Sequence, residues 1–228
     1  MVRIDALIFD LDGTLADSIA DIGTAMNELL KGLRLGPHPF DAYKAFVGEG
    51  AEHLVRRAVR AAQGLDWRVI DDAALPRPLA ELTEGYRVEY AKLEHAGSTP
   101  YEGIDRMLDG VVAAGKKMAV LSNKRDDFTK HLVAHQFGRW PFVDVRGERD
   151  GVPRKPNPTA ALELALSLNV LPERIAFVGD TPIDVMTARN AGMIPVSALW
   201  GFRTREELTA AGTKFLLERP EDLLSLLR

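Results

Sequence analysis

The chain has 228 residues, 46% of them hydrophobic, enough for one large or two modest domains around a real core. Lys and Arg number 29 against 33 Asp and Glu, and the net charge of −4 argues against a nucleic-acid partner held by a general basic field. Cysteine is absent, which excludes disulfides, thiolate metal sites and a cysteine nucleophile. Arg56-Arg57 and Lys124-Arg125, the densest basic spots, read as solvated faces. The amino terminus has no long apolar h-region, and no window approaches the roughly 18 apolar residues of a membrane span. These features predict a soluble cytoplasmic protein, monomer or homodimer, with neither nucleic acid nor membrane as partner.

In chain order, the first element is an apolar run ending at Phe9, read as a strand over Ala6 to Phe9. From Ser18 to about His95 the apolar spacing turns helical, as in Ile19, Ile22, Met26 and Leu30, then Leu54, Val55, Ala58 and Val59. Such a length is not a simple crossover loop, so residues 16–96 are predicted to form an inserted helical cap domain. Residues 1–15 and 97–228 then form the core. Both joints connect to the sheet, the geometry of a hinged lid. Helical patterns follow over Tyr101 to Ala114, Phe128 to Phe137, Pro158 to Leu168 and Asp184 to Ala191, and strands over Met118 to Leu121, Ile175 to Val178 and Ile194 to Ala198. Strands alternating with helices predict an α/β fold, a doubly wound, mostly parallel Rossmann-like sheet.

Ligands of open α/β sheets bind beyond the carboxyl ends of strands, so the residues there are the candidates. The first strand runs into Phe9-Asp10-Leu11-Asp12-Gly13-Thr14-Leu15, whose two carboxylates share a face at i and i+2. Two close like charges must share a proton, bind a cation or flank an electrophile. The second candidate strand ends in Ser122-Asn123, the third in Gly179-Asp180-Thr181 with Asp184 a helical turn later, and Lys155-Pro156 precedes a helix. Helix starts after Asn123 and Thr181 are expected to add backbone N–H donors for an anion.

In order and spacing, these segments resemble the four motifs of the haloacid dehalogenase superfamily, and the likeness extends over core, cap and the Leu199-Trp200-Gly201-Phe202 segment. Its phosphoglycolate phosphatase subgroup is the nearest match. The resemblance implies a phosphomonoester phosphatase acting on a small phosphorylated metabolite, 2-phosphoglycolate first, with another sugar phosphate, a nucleotide or pyrophosphate as alternatives. Asp10 is then the nucleophile that becomes an aspartyl-phosphate, and Asp12 the general acid and base. Mg2+ is the expected cofactor, held by Asp10, the backbone carbonyl of Asp12, and Asp180, with Asp184 and Thr14 in support. Ser122, Asn123 and Lys155 are expected at the transferring phosphoryl group. Gly48 and Glu49, in Gly48-Glu49-Gly50, are expected on the cap loop that screens substrates.

Competing readings are weaker. A calcium loop would need its glycine at Leu15 and its glutamate at Asp21. Gly48-Glu49-Gly50 follows no strand and completes no dinucleotide fingerprint. His131 and His135 stand at i and i+4 without a third ligand, as on a solvated helix face. Dehalogenases of this plan lack the second carboxylate, and the phosphonate-cleaving lysine and the mutase arginine are missing near Ala51 and Glu52. A receiver-type phosphoacceptor would be a shorter domain with adjacent acids.

Overall fold

The computed structural model describes residues 3–227. Its elements are β1 (Ala6–Phe9), β2 (Ala16–Asp17), α1 (Ile19–Gly32), α2 (Phe40–Phe46), α3 (Ala51–Ala62), α4 (Leu79–Ala91), β3 (Thr99–Pro100), α5 (Ile104–Ala113) and β4 (Lys117–Arg125). There follow α6 (Asp126–Phe137), β5 (Phe142–Glu148), α7 (Thr159–Leu168), β6 (Ile175–Gly179), α8 (Pro182–Asn190), β7 (Ile194–Ala198), α9 (Arg205–Ala211), β8 (Phe215–Leu217) and a 3-10 turn over Pro220–Leu226. The chain divides into two compact units, residues 1–17 with 99–228, and residues 18–98.

In the first unit the described residues form a six-stranded parallel sheet of order β5-β4-β1-β6-β7-β8. The strand direction of progress reverses beside β1, which pairs with β4 on one side and β6 on the other. That switch point opens a crevice beyond the carboxyl ends of β1 and β6, where a doubly wound sheet takes its ligand. β1 is apolar at every position because both sheet faces are covered. Leu7 and Phe9 pack with α5 and α6 through Met107, Leu108, Leu132 and Phe137. Ala6 and Ile8 pack with α7 and α8 through Ala161, Leu164, Leu168 and Ala188.

Two strands escaped the pattern reading. β5 carries Asp144, Arg146 and Glu148 and is only half-buried, and β8 is three residues long at the opposite edge. Edge strands carry charge and little apolar alternation, so their sequences do not announce them. β4 also continues through Lys124 and Arg125, so the helix expected straight after Asn123 begins only at Asp126. The short antiparallel pair β2–β3, Ala16 against Pro100 and Asp17 against Thr99, holds the two chain crossings side by side.

The second unit is helical, α1 to α4, with an irregular stretch over 63–78. Its apolar face gathers Ile22, Met26, Leu30, Tyr43, Val55, Val59 and Leu82, all buried. Asp21, buried in α1, accepts from the Gly97 N–H at 2.8 Å and from the Ser98 hydroxyl, stitching the unit's first helix to its last residues. Arg56 and Arg57 are not solvated faces. Arg56 donates to Asp72 at 2.5 and 3.2 Å, and Arg57 to Glu49 and to the Phe46 carbonyl at 3.0 Å, which draws both largely out of solvent. Among the described residues no helix is long and apolar enough to cross a membrane.

Candidate active site

The site grows from the end of β1. The Asp10 N–H closes the ladder onto the Val178 carbonyl at 2.8 Å, after which the chain coils tightly, Leu15 and Ala16 both donating to the Leu11 carbonyl at 3.0 Å. Gly13 makes the bend at φ +84°, a region that penalises any side chain. A Cβ there, or at Gly201, would also run into the Asp180 carboxylate. Two glycines thus let backbone close around one buried acid. Trp200 ties the same loop by donating Nε1–H to the Thr14 carbonyl at 3.0 Å.

Asp180, at the end of β6, is fully buried and accepts from the Thr14 hydroxyl at 3.0 Å and the Phe202 N–H at 2.8 Å. Asp184 accepts on Oδ2 from the Thr181 N–H and hydroxyl, at 3.0 and 2.7 Å, completing a capping box at the start of α8. Pro182, at the first helical position, has no N–H to lose there. Lys155 places Nζ 2.9 Å from Asp10 and 2.7 Å from Asp184. Its backbone is clamped by Asn123, whose amide accepts from the Lys155 N–H at 2.9 Å and donates to the Lys155 carbonyl at 3.1 Å.

Among the described residues, Asp10, Asp180 and Asp184 are the group whose oxygens lie within 4.8 Å of one another. With Lys155 they are three carboxylates against one ammonium, leaving two negative charges inside the protein when all are ionised. Burial pushes the Asp10 carboxyl well above its usual range, Asp184 adds to this, and Lys155 opposes it. Burial and then Asp184 push Asp180 up to about 7. For Lys155 burial acts downward, yet the charges of Asp10 and Asp184 prevail and raise it, so the lysine stays charged. Acids that resist ionising beside a fixed ammonium need more positive charge. A hard divalent cation with oxygen ligands fits that donor set. Asp10 and Asp180 are the better placed ligands, because Asp184 already carries the lysine on one oxygen and Thr181 on the other.

The remaining predicted residues fall as follows. Asp12 is partly exposed and holds Lys124 at 2.6 Å. Lys124, whose side chain is only 8% exposed, is therefore not on a solvated face, and sequence reasoning missed it. Its position two residues after Ser122 on β4 was the available signal. Ser122 is buried and accepts from the Lys124 N–H at 3.2 Å. Asn123 has its side chain turned onto Lys155. In the helical unit Gly48 and Glu49 lie in the α2–α3 turn, where Gly48 and Gly50 take φ of +115° and +90° and Glu49 pairs with Arg57. His131 and His135 are exposed on α6.

A family profile described as haloacid dehalogenase-like hydrolase matches residues 4–192. A phosphoglycolate phosphatase of Rhodospirillum rubrum is 36% identical over 91% of this chain and 84% of its own length. One of Aquifex aeolicus is 30% identical over 97% and 95%. A solved structure from Lactobacillus delbrueckii subsp. bulgaricus, itself provisionally assigned as a phosphoglycolate phosphatase, superposes with TM-score 0.90 at 28% identity, covering 99% of this chain and 98% of that one. The chain belongs to the haloacid dehalogenase-like hydrolases. Within them it stands with the phosphoric monoester hydrolases of the phosphoglycolate phosphatase group, which sets aside the receiver reading.

Proposed function

We propose that the protein is a magnesium-dependent phosphatase that hydrolyses 2-phosphoglycolate through an aspartyl-phosphate on Asp10. The observation that carries the mechanism is the buried quartet of Asp10, Asp180, Asp184 and Lys155, two positive charges short of neutrality. The substrate is supported by relatives named phosphoglycolate phosphatase that align over nine-tenths or more of the chain.

Phosphoryl transfer is mostly positioning and charge, so each residue has a definable task. Lys155 and Ser122 receive the phosphoryl oxygens, and Asn123 fixes Lys155 by gripping its backbone. An Asp10 oxygen forms a bond to phosphorus as the bond from phosphorus to the substrate oxygen breaks, the electron pair leaving with that oxygen. Asp12 gives the departing oxygen a proton. In the second half Asp12 takes a proton from water, the water oxygen bonds to phosphorus, and the Asp10 carboxylate is released with inorganic phosphate as product. Magnesium, held by Asp10, the Asp12 carbonyl and Asp180, would supply charge neutralisation at the phosphate. Thr14 and Asp184 keep that ligand set in place through their hydrogen bonds. The Gly48–Glu49 turn of the helical unit would act in substrate screening.

A panel of phosphorylated metabolites, assayed with magnesium and with a chelator, tests the proposal. The highest kcat/KM is expected for 2-phosphoglycolate, with activity lost on chelation; a clear preference for a nucleotide or hexose phosphate would overturn the substrate, and full activity without a divalent cation would overturn the metal.

A further inference from the structure

We infer that Lys124 is the residue that selects a leaving group bearing a carboxylate next to the departing oxygen. The inference rests on the phosphatase reading above and deepens it from phosphate chemistry to leaving-group chemistry.

Lys155 stands on the side of Asp10 and Asp184, where phosphorus is attacked. Lys124 stands elsewhere, 2.6 Å from Asp12, the group assigned to the departing oxygen. A proton donor has to come within about 2.6–3.2 Å of the atom it serves, so an ammonium touching the same carboxyl lies within a few ångströms of the leaving oxygen. In a 2-phospho carboxylic acid the carboxylate sits two bonds from that oxygen, which brings it within reach of Lys124. A charged side chain only 8% exposed also demands an anion, and an ammonium has three donors to divide between Asp12 and a second carboxylate. The backbone holds the lysine there, its N–H on the Ser122 hydroxyl at 3.2 Å and its carbonyl accepting from the Thr129 hydroxyl at 3.1 Å. The lysine therefore stands between a residue on the phosphoryl side and the acid on the leaving-group side.

The test compares kcat/KM for 2-phosphoglycolate, ethyl phosphate and p-nitrophenyl phosphate in the wild type and in Lys124→Met, with thermal melts to confirm folding. Ethyl phosphate needs the general acid but has no carboxylate; the nitrophenyl ester needs neither. Loss of one charge-assisted hydrogen bond should lower kcat/KM for 2-phosphoglycolate by about 30- to 100-fold while the other two substrates change by less than about 3-fold. Lys124→Arg, which keeps the charge, should retain more of the preference than Lys124→Met. If Lys124→Met does not fold, Lys124→Gln is read in the same way. Equal losses on 2-phosphoglycolate and ethyl phosphate would overturn the inference, because the lysine would then act through Asp12 alone; an unchanged preference would overturn it as well. A wild type that does not prefer 2-phosphoglycolate to ethyl phosphate would instead remove the substrate reading on which the inference rests.

Discussion

Each unit of the protein buries aspartates, and they are treated differently. In the helical unit Asp21 meets two donors, the Gly97 N–H and the Ser98 hydroxyl, in an arrangement that joins the start of the unit to its end. In the α/β unit Asp180 also meets two donors, yet it is packed against Asp10 and Asp184 with one lysine among them. Hydrogen bonds alone distinguish the two poorly. The surplus of like charge does so, because a fold gains nothing from buried repulsion unless a ligand relieves it.

Substitutions that isolate the charged cluster should have the largest effects. Asp10→Asn is expected to lower kcat by about 10⁴-fold or more, as loss of a nucleophile does, without lowering the melting temperature, since one desolvated charge is removed. Asp12→Asn should cost about 10²- to 10⁴-fold on alkyl phosphates. Asp180→Asn should weaken magnesium binding by at least about 10-fold, read by calorimetry, with phosphate turnover restored only in part at high metal.

The pH dependence sharpens the same contrast. Asp180 rises from 3.8 to about 7 in the folded protein, so the folded state binds the extra proton and metal-free stability falls as pH climbs through that interval. Melting temperatures measured between pH 4 and 8 with chelator should decline, and magnesium should reverse the decline; Asp180→Asn should flatten it. The ion pairs of Asp126 and Asp127, held below the usual carboxylate range, contribute above pH 4 and are lost only below it, so they do not mask the effect. The smallest change in activity is expected for Asp21→Ala. It should destabilise residues 18–98 by about 1–3 kcal/mol, seen as faster amide exchange there, while p-nitrophenyl phosphate turnover changes little.

The legibility of the chain follows this division. β1, β6 and β7 were readable because central parallel strands are continuous apolar runs, and Asp10, Asp12 and Asp180 because they interrupt those runs at their carboxyl ends. β5 and β8 were not, lying at edges where charge replaces alternation. Asp184 had two readings, helix cap and support of the site, and the geometry joins them: one oxygen caps α8 and the other holds Lys155. Lys124 was hidden because a lysine beside an arginine ordinarily points to water, and only the extension of β4 past Asn123 brings it to Asp12.

The most direct measurement is pre-steady-state release of p-nitrophenolate from p-nitrophenyl phosphate by Asp12→Asn with magnesium. A good leaving group needs no proton, so Asp10 should be phosphorylated quickly while water attack, deprived of its base, lags. The account predicts a burst equal to the concentration of chains, followed by slow turnover, with phosphate recovered on the peptide containing Asp10. Linear release from the first turnover, with no phosphorylated peptide, would contradict it.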